Sequence, residues 1–168
     1  LHTCVLDRMN GALCDAVTGQ QGSRALLEAL DRDNLFLVPL DDRRQWYRYH
    51  HLFADVLRAR LLDEQPEQVD RLHRLASDWY DGHGDRSEAV RHAMAGHDHP
   101  RTATLIELEM PALRRDRREA TMRAWLEQLP EFMEKWTPAL RTQPRRTFLH
   151  TDVGQPHLLV TPHTSALT

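Results

Sequence analysis

The spacing of apolar positions along this chain changes between strand-like and helix-like periods. Residues 35–40, LFLVPL, are dense in large apolar side chains, and residues 45–49, QWYRY, make a second, aromatic run of similar length. Both read as strands, and the polar residues 41–44 between them predict a hairpin with a charged tip. The helix that follows, to about Leu62, carries Leu52, Phe53, Val56, Leu57 and Leu61 at helical spacing. That spacing predicts a buried stripe, with Asp55, Arg58 and Arg60 facing away. His50 and His51 then fall in the first helical turn, where unpaired backbone N–H groups and the positive end of the helix dipole favour a bound anion such as phosphate.

Upstream, Asn10 or Gly11 can start a short helix through Val17, with Leu13, Cys14 and Val17 inward and Gly19 ending it. Ser23 suits the N-cap of a second helix over residues 24–32, whose Leu26, Leu27 and Leu30 form its buried stripe. Two short helices followed by a hairpin give the order of a winged-helix module, the hairpin being its wing. Downstream, the polar break DEQP places Pro66 in the first turn of a new helix. Its stripe is Val69, Leu72, Ala76, Trp79 and Tyr80, and GHGD at residues 82–85 ends it. Further helices are predicted over about 86–96 (Ala89, Val90, Ala93 and Met94 inward), from near Pro100 (Ala103, Ile106 and Met110), and over about 118–129 (Met122, Trp125, Leu126 and Leu129). Helices of this length on tight turns suit the opening of an α-solenoid of TPR-like type. From Pro138 onward, prolines and scattered apolar residues replace the periodicity. The fold expected is therefore mostly α: a winged helix with a small β-hairpin over residues 1–62, a helical region over 66–130, and an irregular or disordered tail over 140–168.

Composition narrows the function. The chain has 168 residues, 40% of them hydrophobic, enough for a core, and a formal net charge of −3 that gives no polybasic signature for nucleic acid or an anionic membrane. Cys4 and Cys14 lack CxxC spacing and read as buried free thiols of a cytoplasmic protein. No apolar run approaches the roughly 18 residues of a membrane helix. The opening LHTCVLDRMNG has no initiator Met and reads as the middle of something larger. His97 and His99, with His92 upstream, have part of a zinc-site spacing, but without a Cys or HExxH motif a solvated turn is expected and no metal. Trp79, Tyr80 and Trp125 sit at stripe positions and read as core; the cluster Arg114, Arg115, Arg117 and Arg118 reads as a solvated turn. No Ser-His-Asp, Cys-His or paired-carboxylate pattern marks a catalytic residue. The helix in the recognition position, residues 23–33, has Arg24 and Arg32 against Glu28, Asp31 and Asp33, a poor balance for neutralising DNA phosphates. Arg43, Arg44 and Arg48 in the wing adjoin Asp41 and Asp42.

The blocks NLFLVPLD, YRYHHLF and EAVRHAMAGHD, with WLEQLP after them, resemble in combination the MalT-like branch of the LuxR-family transcriptional regulators, large STAND-class signal-transduction ATPases. The resemblance covers about residues 1–130. It implies that the winged helix belongs to a nucleotide-binding module and that the helices after Pro66 open a sensor region. In related STAND proteins a histidine of a Met-His-Asp motif, at the start of the last winged-helix helix, contacts the β-phosphate of ADP. Here Tyr49-His50-His51 matches that pattern, so the resemblance makes His50 the cofactor-binding candidate for ADP in the intact protein, while His51 replaces the Asp. No GxxxxGK[ST] occurs, so the phosphate loop, its Mg²⁺ ligand and the ATPase core are expected elsewhere in a parent protein, and this chain is expected to be no enzyme and to hold no cofactor by itself. The implied partners are the adjoining nucleotide-binding domain and, through the helical region, an inducer or partner protein. DNA would be reached only through a C-terminal domain absent here. The alternatives that the residues leave open are a stand-alone helical protein-interaction module and a winged helix that binds DNA directly.

Overall fold

A computed structural model describes residues 1–33, 35–116, 120 and 124–125. After a 3-10 turn at His2–Val5 come α1 (Gly11–Thr18), α2 (Ser23–Arg32), β1 (Leu37–Pro39), β2 (Tyr47–Tyr49), α3 (His51–Glu64), α4 (Pro66–Gly82), α5 (Arg86–Ala95) and α6 (His99–Arg115). This is a mostly α fold, a winged helix followed by helices, as the periodicity predicted.

The first helix forms as its signals dictate. The Asn10 side chain accepts from the Leu13 N–H at 2.8 Å, and Gly19 closes the helix in the left-handed conformation at φ 72°. Leu13, Cys14 and Val17 are buried. Cys4 is buried too, and burial pushes the Cys14 thiol up to about 12, well above the thiolate range. Ser23 does not cap α2: Gly22 holds the N-cap, and the Ser23 N–H donates instead to the Asp15 carboxylate at 2.9 Å. Leu27 alone of the predicted α2 stripe is buried, and Leu26 stands 60% exposed.

The two strands pair antiparallel, Leu37 opposite Tyr49 and Pro39 opposite Tyr47. On the other side of Tyr47, Met9 exchanges two backbone hydrogen bonds of 2.8 Å with it. The strands are shorter than the apolar runs for local reasons. Phe36 adopts φ 58°, which ends the extended run, and its ring stacks on Phe53 at 4.6 Å. At the tip, the Asp41 carboxylate accepts from the N–H groups of Gln45 and Trp46 at 3.1 and 2.8 Å and closes the turn.

The third helix keeps part of the predicted stripe, with Leu61 buried and Phe53 and Leu57 half-buried, but not Leu52 and Val56. Ala54 and Leu61 are buried, whereas Leu52 and Val56 are 64% and 63% exposed. Arg58, expected to face away, turns inward: its Nε donates to the Cys4 carbonyl at 3.0 Å and its Nη2 to Asp7 at 2.8 Å. Among the α3 residues, Arg58 thus reaches the 3-10 turn directly through its guanidinium.

Pro66 stands at the start of α4, and Leu72, Ala76, Ser77 and Tyr80 are buried along it. The next helix starts at Asp85, whose Oδ1 accepts from the Glu88 N–H at 3.2 Å while its Oδ2 pairs with Arg8. Ala89, Val90, His92 and Ala93 face inward, and Met94, predicted inward, is only half-buried. Small residues bring these helices close. A Cβ on Gly96 would lie 2.9 Å from the Asp70 carbonyl of α4, so glycine is required there by close approach. Helix α5 also packs on α6, whose Thr102, Ala103, Leu105, Ile106 and Leu113 are buried. Buried Ser77 and Thr102 donate to the carbonyls of Ala89 and Asp98, both at 2.8 Å.

Helix α1 packs against both α2 and α4, so the winged helix and the helices behind it share contacts. Arg8 is central to that contact, with its guanidinium 4.8 Å from the Trp46 ring centroid and 5.8 Å from that of Tyr80. All described residues lie in one compact unit, Leu1–Pro130. Of the helix predicted at 118–129, residues 120, 124 and 125 are helical, with Trp125 buried. The rest of that helix, Arg117 and Arg118, and the tail over 140–168 lie outside the described residues. Among the described residues no helix is long and apolar enough to cross a membrane.

Candidate functional site

His50 is the N-cap of α3, one position before the predicted first turn, and His51 is the first helical residue. Their backbone roles differ from their side-chain roles. The His50 N–H donates to the Phe36 carbonyl at 2.8 Å, and the His50 carbonyl accepts from the N–H groups of Phe53 and Ala54 at 2.9 and 3.0 Å. The imidazole makes no capping bond. Both rings are exposed and lie 4.4 Å apart. The N–H groups of His51 and Leu52 thus open α3 without a side-chain cap, beside two solvent-facing imidazoles. Such an end favours negative charge.

The residue before them is firmly placed. The Tyr49 hydroxyl lies 2.8 Å from Thr3 Oγ1, and its ring meets Phe53 edge-on at 5.6 Å. Burial, the largest influence on it, raises the Tyr49 phenol above its ordinary pKa. Phe36, Leu52 and Val56 are exposed near this end of the helix, so the His50 surface is histidine on an apolar ground.

Two of the charges that would serve DNA are engaged within the chain. Arg24 pairs with Glu28 at 2.9 Å on α2, and Arg44 reaches Asp31 at 2.8 Å. The three histidines considered for metal do not converge. His92 is buried between α4 and α5, with its Nδ1 2.9 Å from that of His73, whereas the exposed His97 ring bonds Asp70 at 3.0 Å. Among the described residues no group of three or more His, Cys, Asp or Glu side chains is arranged to hold a metal ion.

A second polar cluster had no motif to announce it. Asp7 takes Arg58 on one oxygen at 2.8 Å and Arg91 on the other at 2.9 Å. Arg91 also meets His92 Nε2 at 3.1 Å. Burial and the Arg91 guanidinium hold His73 down to about 4 and His92 to about 3. The signals were present as two histidines at inward helical positions, but only folding brings α3, α5 and Asp7 together.

Comparison with known proteins matches residues 1–69 to the family described as the MalT winged helix domain. The chain is 36% identical over 133 residues to the serine/threonine-protein kinase PknK of Mycobacterium tuberculosis, covering 79% of this chain and 12% of that protein. The PknK of Mycobacterium bovis matches equally. The HTH-type transcriptional regulator MalT of Klebsiella pneumoniae is 39% identical over 98 residues, 58% of this chain and 11% of that protein. The chain thus spans about an eighth or less of the length of these curated relatives. Residues 1–69 thus match the MalT winged helix domain, and the hairpin followed by α3 agrees with a MalT-like fragment.

Proposed function

We propose that this chain is the regulatory segment of an ATP-dependent, LuxR-family transcriptional regulator of the STAND class, coupling nucleotide state to inducer sensing and to DNA-binding transcription control in the intact protein. The segment performs no chemistry. His50 hydrogen-bonds the β-phosphate of ADP held by an adjoining nucleotide-binding domain, and α4 to α6 open a TPR-like sensor region that receives the inducer or a partner protein. The nucleotide is ATP or ADP bound by the parent protein, and the localisation is cytoplasmic.

The observation that carries this reading is the exposed His50 imidazole, free of any capping bond, at an α3 N-terminus with no side-chain cap. The exposed apolar residues Phe36 and Leu52 near it suit a neighbouring domain that would exclude water from the phosphate contact. Similarity to both a transcriptional regulator and a protein kinase by name supports a module that passes a signal and leaves the output to other parts. The switch is a population shift: ADP favours the state in which His50 reaches it, and inducer favours the other.

In a full-length parent protein, His50→Ala should release ADP faster and raise transcription without inducer. Unchanged ADP retention together with unchanged basal transcription would refute the assignment.

A further inference from the structure

A cavity of about 300 Å³ opens where α3, α4 and α5 meet the segment after the 3-10 turn, a volume at the lower end for small-molecule sites. Val5, Leu61, Leu62 and Val69 supply an aliphatic lining, and Asp7, Arg58, His73 and Arg91 a polar one. Both arginines reach the Asp7 carboxylate, yet neither depends on it for position. Arg58 Nε is fixed by the Cys4 carbonyl at 3.0 Å, and Arg91 holds Glu88 Oε2 through Nε and Nη2 at 3.0 and 2.6 Å. Asp7 lies on a bend with its side chain 61% exposed, the least constrained of the three.

The third donor follows from proton bookkeeping along the histidine pair. A guanidinium has no acceptor, so the 3.1 Å contact of Arg91 Nη2 makes His92 Nε2 the acceptor. His92 therefore carries its proton on Nδ1 and donates to His73 Nδ1 at 2.9 Å. His73 is left with its proton on Nε2, and no described residue accepts it. Three donor groups thus line one cavity, and one tethered carboxylate answers only the two arginines. Asp55 and Glu88 also face these guanidiniums, at 3.6 and 2.6 Å, which favours a single negative charge over a phosphate dianion.

We propose that this cavity binds a small aliphatic carboxylate, whose oxygens take the His73 Nε2–H and exchange with Asp7 on Arg58 and Arg91 while its hydrocarbon part lies against Val5, Leu61, Leu62 and Val69. Asp7 is the resident stand-in for that ligand. Because the cavity joins α3 to α4 and α5, occupancy is sensed where the winged helix meets the helical region.

The test is thermal unfolding and backbone amide NMR of the 168-residue chain with sodium hexanoate, against hexylammonium chloride and sodium chloride at equal ionic strength. Hexanoate alone should stabilise saturably and shift the amides of Val5, Leu61, Leu62 and Val69. Asp7→Asn should tighten hexanoate up to about tenfold by removing the tethered competitor's charge. Arg91→Gln in that background should abolish the response. Leu62→Asp, at a residue 59% exposed, should leave the melting temperature unchanged and also abolish it. Hexanoate acting no better than chloride on the Asp7→Asn chain, or a response that survives both Arg91→Gln and Leu62→Asp, would overturn the proposal.

Discussion

The Nδ1 atoms of His73 and His92 lie 2.9 Å apart and join α4 to α5 through two imidazoles that share one proton between those atoms. Tyr80 stacks on the His92 ring at 5.5 Å, and Arg91 sits at its far nitrogen. Arg58 and Arg91 oppose a charge on His73, whereas Asp7 and Asp70 favour one, and burial outweighs them all.

A pH dependence of stability follows. The folded histidines take protons only near pH 4 and 3, but the unfolded chain takes them near 6.5. Between those values the unfolded state binds more protons, so the stabilisation present above pH 6.5 is lost as pH falls toward 4. Thermal denaturation at fixed ionic strength should show a loss on the order of a few kcal/mol across that window, and the double variant His73→Gln with His92→Gln should flatten the slope.

The two apolar faces of α3 predict opposite mutational outcomes. Leu61 is 2% exposed, and Leu61→Ala should cost roughly 2–5 kcal/mol in urea unfolding. Leu52→Ser, on the exposed face, should stay within about 0.5 kcal/mol in the same assay.

Two buried tyrosines differ by one bond. The Tyr47 hydroxyl is buried and has no hydrogen-bond partner among the described residues, so Tyr47→Phe should be neutral or stabilise by about 1 kcal/mol. The Tyr80 hydroxyl donates to the Arg8 carbonyl at 3.3 Å, and Tyr80→Phe should destabilise by about 1 kcal/mol. Chemical denaturation of the pair reads the difference directly.

Helices α1 and α2 touch at Gly11. A Cβ there would lie 2.6 Å from the Arg24 Cβ and 2.8 Å from its Cα, and backbone cannot swing aside as a side-chain tip can. Gly11→Ala should therefore cost about 1–3 kcal/mol despite its better helix propensity, measured as a lowered melting temperature.

Much of this fold was legible where local chemistry and burial agree. Asn10, Gly19, Pro66 and Asp85 mark helix ends by the groups they offer or lack, and the hairpin showed in its two apolar runs. The α3 stripe misled at Leu52 and Val56 because periodicity finds an apolar face without saying how much of it meets a core, and Arg58 turns inward through Cys4 and Asp7, residues about fifty positions away. Ser23 looked like a cap, but the residue before it took that role and Asp15 claimed its N–H. For the candidate site, His50 was visible through a motif and its position at a helix start. The cavity of Asp7, Arg58, His73 and Arg91 was not, because its members come from four separate stretches and no spacing ties them together.

Asp85 has a further consequence. One of its oxygens begins α5 and the other holds Arg8, so a local start signal and a distant attachment reside in a single side chain. Fraying at the front of α5 therefore loosens the hold on the residue that carries Trp46 and Tyr80, and release of Arg8 in turn weakens the first turn of α5. Perturbations at these two places will not add as independent free energies, and amide exchange at Glu88 will report on an attachment made far from it in the chain.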